Sequence, residues 1–298
     1  MTVLFHPIRL QPFVVSTLLF MAHIPLAAHD LFLRPNSYSP SPNSTNQIVV
    51  FNGSFAESMN TVPESLVDVI YLGKSSDIVE LPTEGWHETD SKTDLLRSLF
   101  KSNSINLENT NRFELPKAQT GTLALGVSLF PSRIAMERDE FLDYLKTEAY
   151  LEIDLDEFGF SEPDDIIRER YLKTAKTLIQ IGNQKSNNVT EPLGQIIEIV
   201  PLTHPGNIKA GDTLDFQILL EGESLADQPV ATGMQHKSAT RTDEERTLLT
   251  SNENGVISLP ILRTGTYWMK LIHLRTAPEE DSMDFNSYWA SLTFEIIK

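Results

Sequence analysis

The sequence predicts a mainly β fold: two β-sandwich-like domains, the C-terminal one immunoglobulin-like, with a helical segment between them. Three observations favour this fold class. Short runs of alternating or β-branched apolar residues recur along the chain. Turn residues such as Gly, Pro and Asn separate these runs. The length of 298 residues is sufficient for two domains of ordinary size. We place the two domains at residues 29–130 and 195–298, and the helical segment at residues 131–183.

The first 28 residues are predicted to form a secretory signal peptide. Arg9 precedes an apolar stretch, PFVVSTLLFMAHIPL, which leads to the small residues Ala27 and Ala28. The stretch is short for a membrane span and contains a proline and a histidine. Cleavage after Ala28 would leave His29 as the first residue, and cleavage after Ala27 would leave it as the second. We therefore expect a periplasmic protein.

Residues 29–130 have the pattern of a β-rich domain. Three runs read as strands: NQIVVFNGSF (46–55), SLVDVIYLGKS (65–75) and TGTLALGVSLFP (120–131). A short helix is predicted between them, at residues 93–102. This segment would form the first sandwich-like domain.

The middle of the chain predicts two helices. In the first, over residues 132–152, apolar residues recur at helical spacing: Ile134, Phe141, Leu142, Leu145 and Ala149. The second is predicted over residues 164–182, because Ser161 and Asp164 have capping-box spacing, Pro163 suits a first turn and Gly182 would end the helix. Residues 183–192 read as a polar linker.

Strand patterns return from Gln195 onward. Apolar residues alternate at Leu214, Phe216, Ile218 and Leu220, which gives a strand with one buried face. Residues 255–275 and 287–297 supply further strands, separated by turn signals. About 100 residues with this pattern are typical of an immunoglobulin-like sandwich. The segment 195–298 is therefore expected to fold by itself.

Composition excludes several function classes. The net charge of −17 argues against nucleic acid or an anionic membrane surface as a partner, because both would repel the chain. There is no cysteine, so the protein has no disulfide and any metal site must use nitrogen and oxygen ligands. Phosphate-binding glycine loops, nucleophile elbows and zinc-protease spacings are missing as well. The sequence therefore favours a protein that is not an enzyme.

An N-terminal histidine would make a metal clamp. A free α-amine titrates near 7.7–8.0, well below the roughly 10.4 of lysine, so it gives up its proton to a metal more readily. The amine and the imidazole of His29 could then chelate one ion, and nitrogen ligands suit copper, nickel, cobalt or zinc. The alternative is that His29 begins a strand and its side chain is solvated.

His273 is the best candidate for a second ligand. It lies at the end of TYWMKLIHLR, on the same strand face as Tyr267, Met269 and Leu271. A histidine on an apolar face can equally be a hydrogen-bonded core residue. Other positions are weaker candidates: His204 and His236 are less favoured, and His87 is expected at the surface.

Blocks along most of the mature chain resemble one bacterial family. They include AAHDLFLRPNSY, RYLKTAKTLIQIG, EPLGQIIEIVPLTHP, GDTLDFQILLEGESLADQPV and GTYWMKLIHLRTAPEEDSMDFNSYWASLTFEI. The family is a domain-of-unknown-function family (number 4198), often labelled the periplasmic component of an ABC-type cobalt or nickel transport system. Its members carry His-Asp-x-Trp at the mature start; here His29 and Asp30 match, and Phe32 replaces the tryptophan. His273 falls at the family's usual histidine, whereas His204 falls where relatives have asparagine.

The resemblance and the clamp together predict a periplasmic transition-metal-binding protein. It would capture or buffer nickel, cobalt or copper for a membrane uptake system, with His29 and His273 as ligands and Asp30 orienting His29. Two alternatives stay open: a copper oxidase built on the same N-terminal clamp, and a structural or adhesive β-sandwich protein without metal.

Overall fold

A computed structural model describes residues 29–74, 77–83, 86–88, 109–115, 117, 120–235 and 246–297. The predicted signal peptide 1–28, the predicted helix 93–102 and His236 lie outside the described residues. The described elements are, in chain order, β1 (Asp30–Pro35), β2 (Asn46–Gly53), β3 (Val67–Lys74), β4 (Asp77–Leu81), β5 (His87–Glu88), β6 (Asn111–Leu115), β7 (Gly121–Leu129), β8 (Ser132–Glu137), α1 (Arg138–Tyr144), β9 (Ile166–Ile181), β10 (Ile197–Pro201), β11 (Thr213–Leu220), β12 (Glu223–Ser224), β13 (Pro229–Gln235), β14 (Thr247–Thr250), β15 (Val256–Pro260), β16 (Gly265–Thr276) and β17 (Phe285–Ile296).

The described strands form three sheets. The front sheet has the order β1-β2-β6-β5, and the back sheet joins β10, β11, β12 and β15. The central sheet has nine strands in the order β14-β13-β16-β17-β9-β7-β3-β4, with β8 paired to β9. Its strands pair antiparallel except β17 and β9, which run parallel over nine residue pairs. No helix among the described residues has both the length and the apolar character that a membrane span requires.

Two of the hydrophobic clusters lie on opposite faces of the central sheet: the front core lies against the front sheet, and the back core lies against the back sheet. On β7, Leu125 packs toward the front sheet whereas its neighbour Ala124 packs toward the back sheet, as strand alternation requires. On β17, Leu292 and Phe294 fill the core against the back sheet. The molecule is therefore mainly β, as predicted, and its C-terminal part is a sandwich of two facing sheets. Strands from both predicted domains lie in the same central sheet.

The predicted helix over residues 164–182 is wrong, because this stretch is the sixteen-residue strand β9. β9 lies between β17 and β7 and is covered on both faces, so its apolar residues do not alternate with polar ones. Ala175 packs on the front core and Leu178 on the back core, which gives the apparent spacing of a helix. Gly182 has φ of 62° and ends a strand rather than a helix.

The predicted helix over residues 132–152 is partly confirmed. Its first six residues form β8, and the helical part is α1 followed by a π-helical turn over Leu145–Ala149. The predicted linker 183–192 is packed against the protein, because Asn188 and Val189 are buried and the Asn188 amide donates to the Gly73 carbonyl at 2.8 Å. The helical segment is therefore much shorter than 131–183.

The strand β1 is held by its main chain against the central sheet. One edge pairs with β2, and on the other side the Thr293 hydroxyl of β17 donates to the Leu33 carbonyl at 2.6 Å. The Ser291 hydroxyl makes the same bond to the Leu31 carbonyl. These bonds cover an edge that would otherwise be open to a foreign strand. The start of β1 is thereby fixed over β9, β16 and β17.

The pairing of β17 with β9 leads to a prediction about the fragment 195–298. The fragment lacks β9, so it would expose the edge of a twelve-residue strand and lose Leu178, Val189 and Leu193 from the back core. We expect it to be unfolded or aggregated, contrary to what the strand pattern of the sequence predicts. Circular dichroism and size-exclusion chromatography test this; a monomeric fragment with a cooperative melt would contradict it.

Candidate functional site

A cavity of about 280 Å³ opens beside the start of β1. It lies between β1, the turn that follows β2, the π-helical turn after α1 and the middle of β16. The lining residues are His29, Asp30, Phe32, Gly53, Ser54, Phe55, Glu57, Met59, Glu148, Arg246, Trp268 and Lys270. The predicted ligand His29 is therefore in the wall of a cavity rather than on an open surface.

His29 is half-buried and its main chain is anchored. The Lys173 ammonium group donates to the His29 carbonyl at 2.5 Å. Burial lowers the pKa of the imidazole, the charge of Lys173 lowers it further, and Glu148 opposes the shift. The shift favours the neutral ring, which is the form that coordinates metals.

Lys173 is a buried lysine on β9. It lies 5.1 Å from the centroids of both the Tyr171 and Trp289 rings, so aromatic faces replace part of its hydration. Burial lowers its pKa to about 8, and the charges of Asp30 and Glu169 oppose the shift. Lys173 therefore anchors His29, the residue that precedes β1.

Asp30, Lys270 and Glu148 form a chain of ion pairs. The Lys270 ammonium group lies 2.6 Å from a carboxylate oxygen of Asp30 and 2.7 Å from one of Glu148. Burial raises the pKa of Asp30, against the charge and hydrogen bond of Lys270. The described partner of the Asp30 carboxylate is thus Lys270, not His29 as the family pattern led us to expect.

Glu148 reaches the cavity because α1 is packed onto β17. Tyr144 stacks on Trp289 with ring centroids 5.8 Å apart, and Phe141 stacks on Phe285 at 5.3 Å. The π-helical turn then carries Glu148 over β16, with its side chain 41% exposed. Glu148 is therefore an accessible carboxylate close to His29.

Three buried aromatic rings form the floor of the cavity. Phe32 meets Phe55 and Trp268 edge to face, at centroid distances of 5.7 and 6.0 Å. Gly233 allows this packing, because a Cβ there would lie 2.5 Å from the Trp268 ring. Phe32, which replaces the tryptophan expected from the family pattern, keeps an aromatic ring in this floor.

The structure does not bring His273 and His29 together. Neighbouring residues of β16 point to opposite faces: Lys270 faces the cavity, and Leu271 lies in the back core. His273 is two residues after Leu271 and therefore lies on the same face as Leu271, opposite to the cavity. Its Nδ1 lies 2.8 Å from the Gln228 side-chain oxygen. Burial, with a contribution from Arg275, lowers its pKa to about 4. His273 is a hydrogen-bonded residue of the opposite face and cannot share an ion with His29.

The remaining described histidines are also outside the cavity. His204 is buried, its Nδ1 accepts from the Gly206 amide at 2.9 Å, and its Nε2 lies 2.7 Å from the Thr122 hydroxyl. His87 is exposed on β5, as expected. His29 is therefore the one described histidine in the wall of this cavity.

The family model "Domain of unknown function (DUF4198)" matches residues 26–275. This chain belongs to that family. No curated protein matches the chain. The DUF4198 assignment agrees with the resemblance of the sequence blocks, and it assigns no activity.

Solved structures resemble this DUF4198 protein only weakly. The E. coli alpha-2-macroglobulin has a TM-score of 0.22 and 12% identity, over 89% of this chain and 17% of that one. The chicken CNTN1 FN1–FN3 domains have a TM-score of 0.20 and 9% identity, over 92% and 66% of the two chains. A tetra-tandem repeat of a large adhesion protein has a TM-score of 0.19 and 12% identity, over 90% and 49%.

In this DUF4198 protein, His29 supplies the one described imidazole of the cavity and Glu148 a partly exposed carboxylate. Among the described residues there is no group of three or more His, Cys, Asp or Glu side chains that could hold a metal. If residues 1–28 were removed, the free α-amine of His29 would add a nitrogen ligand. This ligand belongs to the main chain and is therefore not counted among the side chains. Glu57 and Glu148 are accessible carboxylates of the same cavity, and the charge of Glu148 acts on His29. Sequence reasoning missed Glu148, Lys173 and Lys270, since none of them lies near His29 in the sequence.

A buried carboxyl beneath the site predicts a pH dependence of stability. Burial raises the pKa of Glu169 to about 7, although its hydrogen bonds to Ser287 and Tyr144 and the charge of Lys173 lower it. Because the folded pKa exceeds the unfolded value, this contribution to stability is present below about pH 4.5 and is lost as pH rises through 7. The loss amounts to about 3 kcal/mol, at roughly 1.4 kcal/mol per pKa unit.

Glu169→Gln should therefore flatten the pH profile of the free energy of unfolding between pH 5 and 8. Urea titrations at several pH values measure this. The matched control is Glu140→Gln, at an exposed position on α1. A Glu169→Gln profile as steep as that of the wild type would contradict the assignment.

Proposed function

We propose that this protein binds a divalent transition-metal ion at His29 and captures or buffers it for uptake. Nickel, cobalt and copper are the candidate ions. The proposal includes export to the periplasm and removal of residues 1–28, so that His29 becomes the first residue. The α-amine and the imidazole of His29 would then hold the ion as a clamp.

The position of His29 is the observation that carries the proposal. Its side chain lines a cavity, and its carbonyl accepts a hydrogen bond from Lys173. Burial lowers the pKa of its imidazole and so favours the neutral ring. A fixed main chain reduces the entropy that a terminal chelate would otherwise lose on binding a metal. An anchored N-terminal histidine is thus better prepared for coordination than a solvated one.

Glu148 replaces His273 as the candidate for a further ligand. It belongs to the same cavity as His29, and its carboxylate is partly exposed. If Glu148 coordinated the metal, its carboxylate would leave the ion pair with Lys270. Lys270 would keep Asp30, at 2.6 Å, as its partner. Carboxylate and imidazole ligands together suit nickel, cobalt and copper.

The test compares two chains that differ only at the N-terminus. One begins at His29, and the other retains Ala28, which blocks the α-amine without changing any side chain of the site. Nickel, cobalt, copper and zinc are titrated into each by calorimetry. We expect the chain that begins at His29 to bind at least about tenfold more tightly, because the blocked chain loses one of its two clamp nitrogens.

Mass spectrometry of the exported protein supplies the second arm of the test. The intact mass should equal that of residues 29–298. Equal metal affinity in the two chains would overturn the clamp and leave a β-sandwich protein without a metal site at His29.

A further inference from the structure

The strand β4 is an open edge of the central sheet. Among the described residues it pairs only with β3, in antiparallel register. In such a pair, alternate residues point their N–H and C=O groups away from the partner strand. Two adjacent apolar residues of β4, Ile78 and Val79, are each 50% exposed and lie on opposite faces of the sheet. An edge of this kind can pair with another extended chain.

A cavity of about 440 Å³ lies beside this edge. Ile78 and its cross-strand partner Gly73 line it, together with residues of the segment 187–193 that follows β9. Gly73 permits the close approach of this segment, because a Cβ there would lie 2.9 Å from a methyl carbon of Leu193. The volume is within the usual range for ligand pockets. The cavity can therefore accept a long side chain from a strand that is added to β4.

The charge of the cavity wall favours a cationic side chain. The carboxylates of Asp77 and Glu191 line the cavity, and no lysine, arginine or histidine of the described residues does so. Lys74 is the cross-strand neighbour of Asp77 but is not part of the lining. A lysine or arginine of a docked chain would thus meet two carboxylates at the cavity wall.

The negative charge extends along the edge outside the cavity. Burial raises the pKa of Tyr71 on β3, and the charges of Asp68 and Glu80 raise it further. A second copy of this chain is disfavoured as the occupant, because pairing β4 with itself would bring these carboxylates close to their counterparts. The net charge of −17 adds to that repulsion.

We infer that β4 docks an extended segment of another protein in which basic residues alternate with apolar ones. The segment extends the central sheet by one strand, with its basic side chains on the face of the cavity and its apolar side chains on the face of Val79. Backbone hydrogen bonds to β4 supply affinity, and the cavity supplies specificity. The two cavities share no lining residue, so this inference is independent of the metal site at His29.

The test measures binding of a fluorescein-labelled synthetic peptide to the full chain by fluorescence anisotropy. The peptide alternates Lys and Val over about eight residues, within the usual length of a strand. One comparison peptide carries Glu in place of Lys, and another is N-methylated at every residue and cannot donate backbone hydrogen bonds. At physiological ionic strength, which screens long-range attraction, we expect the Lys–Val peptide to bind at least about tenfold more tightly than either.

Ile78→Lys should weaken binding of the Lys–Val peptide about tenfold or more, because it places a positive charge in the cavity and on the open edge. The fold should be little affected, since Ile78 is half exposed. Leu248→Lys is the matched control and should leave the affinity unchanged. Leu248 is 51% exposed on β14, the edge strand at the other end of the same sheet.

Asp77→Asn combined with Glu191→Gln should weaken binding about tenfold, because each exposed ion pair contributes at most a few-fold. Glu140→Gln combined with Glu253→Gln removes the same charge at exposed positions elsewhere and should not weaken it. Equal binding of the N-methylated peptide, or binding that survives Ile78→Lys, would overturn the inference. A dimer of the protein alone that Ile78→Lys dissociates, measured by analytical ultracentrifugation, would make a second copy the occupant and would also overturn it.

Discussion

His29→Ala in the processed chain is expected to lower nickel affinity about 100-fold. Four-ligand zinc sites gain roughly 10–16 kcal/mol, or about 3 kcal/mol per ligand, and 1.4 kcal/mol corresponds to a factor of ten. The substitution removes the imidazole and leaves the α-amine and the carbonyl that Lys173 binds. The fold should be unchanged, because only the side chain is removed from the cavity wall. Calorimetric titration of nickel measures the effect.

Two other histidines provide controls for this experiment. His87→Ala removes an exposed imidazole on β5, and His273→Ala removes one from the opposite face of the central sheet. Neither should change nickel affinity in the folded protein. Glu148→Gln should lower it about tenfold or more, because Glu148 is the proposed further ligand. An affinity that responds to His273→Ala and not to His29→Ala would contradict the site at the start of β1.

Glu198→Gln is expected to lower the free energy of unfolding by about 3–5 kcal/mol, the usual cost of removing one partner from a buried ion pair. Glu198 lies 2.6 Å from the Lys176 ammonium group, and both side chains are 1% exposed. The Glu198 carboxylate also accepts from the backbone amides of Leu193 and Gly194, at 2.7 and 3.1 Å. The substitution leaves the Lys176 charge buried between β9 and β10 without its counter-ion. Urea denaturation measures the loss.

The control for this prediction is Glu253→Gln, at an exposed position, which should change stability by less than about 0.5 kcal/mol. A double variant, Lys176→Met with Glu198→Leu, separates charge from packing. Because an apolar pair avoids the cost of burying charge, it should recover part of the loss. A single variant as stable as the wild type would show that the pair does not contribute to folding.

Strand positions could be predicted where only one face of the strand is buried. Residues 213–220 alternate between buried apolar and exposed or half-buried positions, and β11 occupies that range. The strand β9 could not be predicted in this way, because it lies inside the central sheet and packs on the front core with one face and on the back core with the other. Glu169, Lys173 and Lys176 lie in that buried strand beside partners from other elements. Because these three residues are charged although they lie in a buried strand, a pattern based on polarity does not identify the strand.

The sequence by itself determined the mainly β class, membership of the DUF4198 family and the choice of His29 as the residue to examine. These follow from local pattern, because alternation and block order are visible along the chain. Only the tertiary structure decided which groups surround His29. Lys173, Glu148 and Lys270 come from β9, the turn after α1 and β16, more than 100 residues away. It also separated His273 from the cavity, because a difference of one position in β16 decides which face of the sheet a side chain occupies.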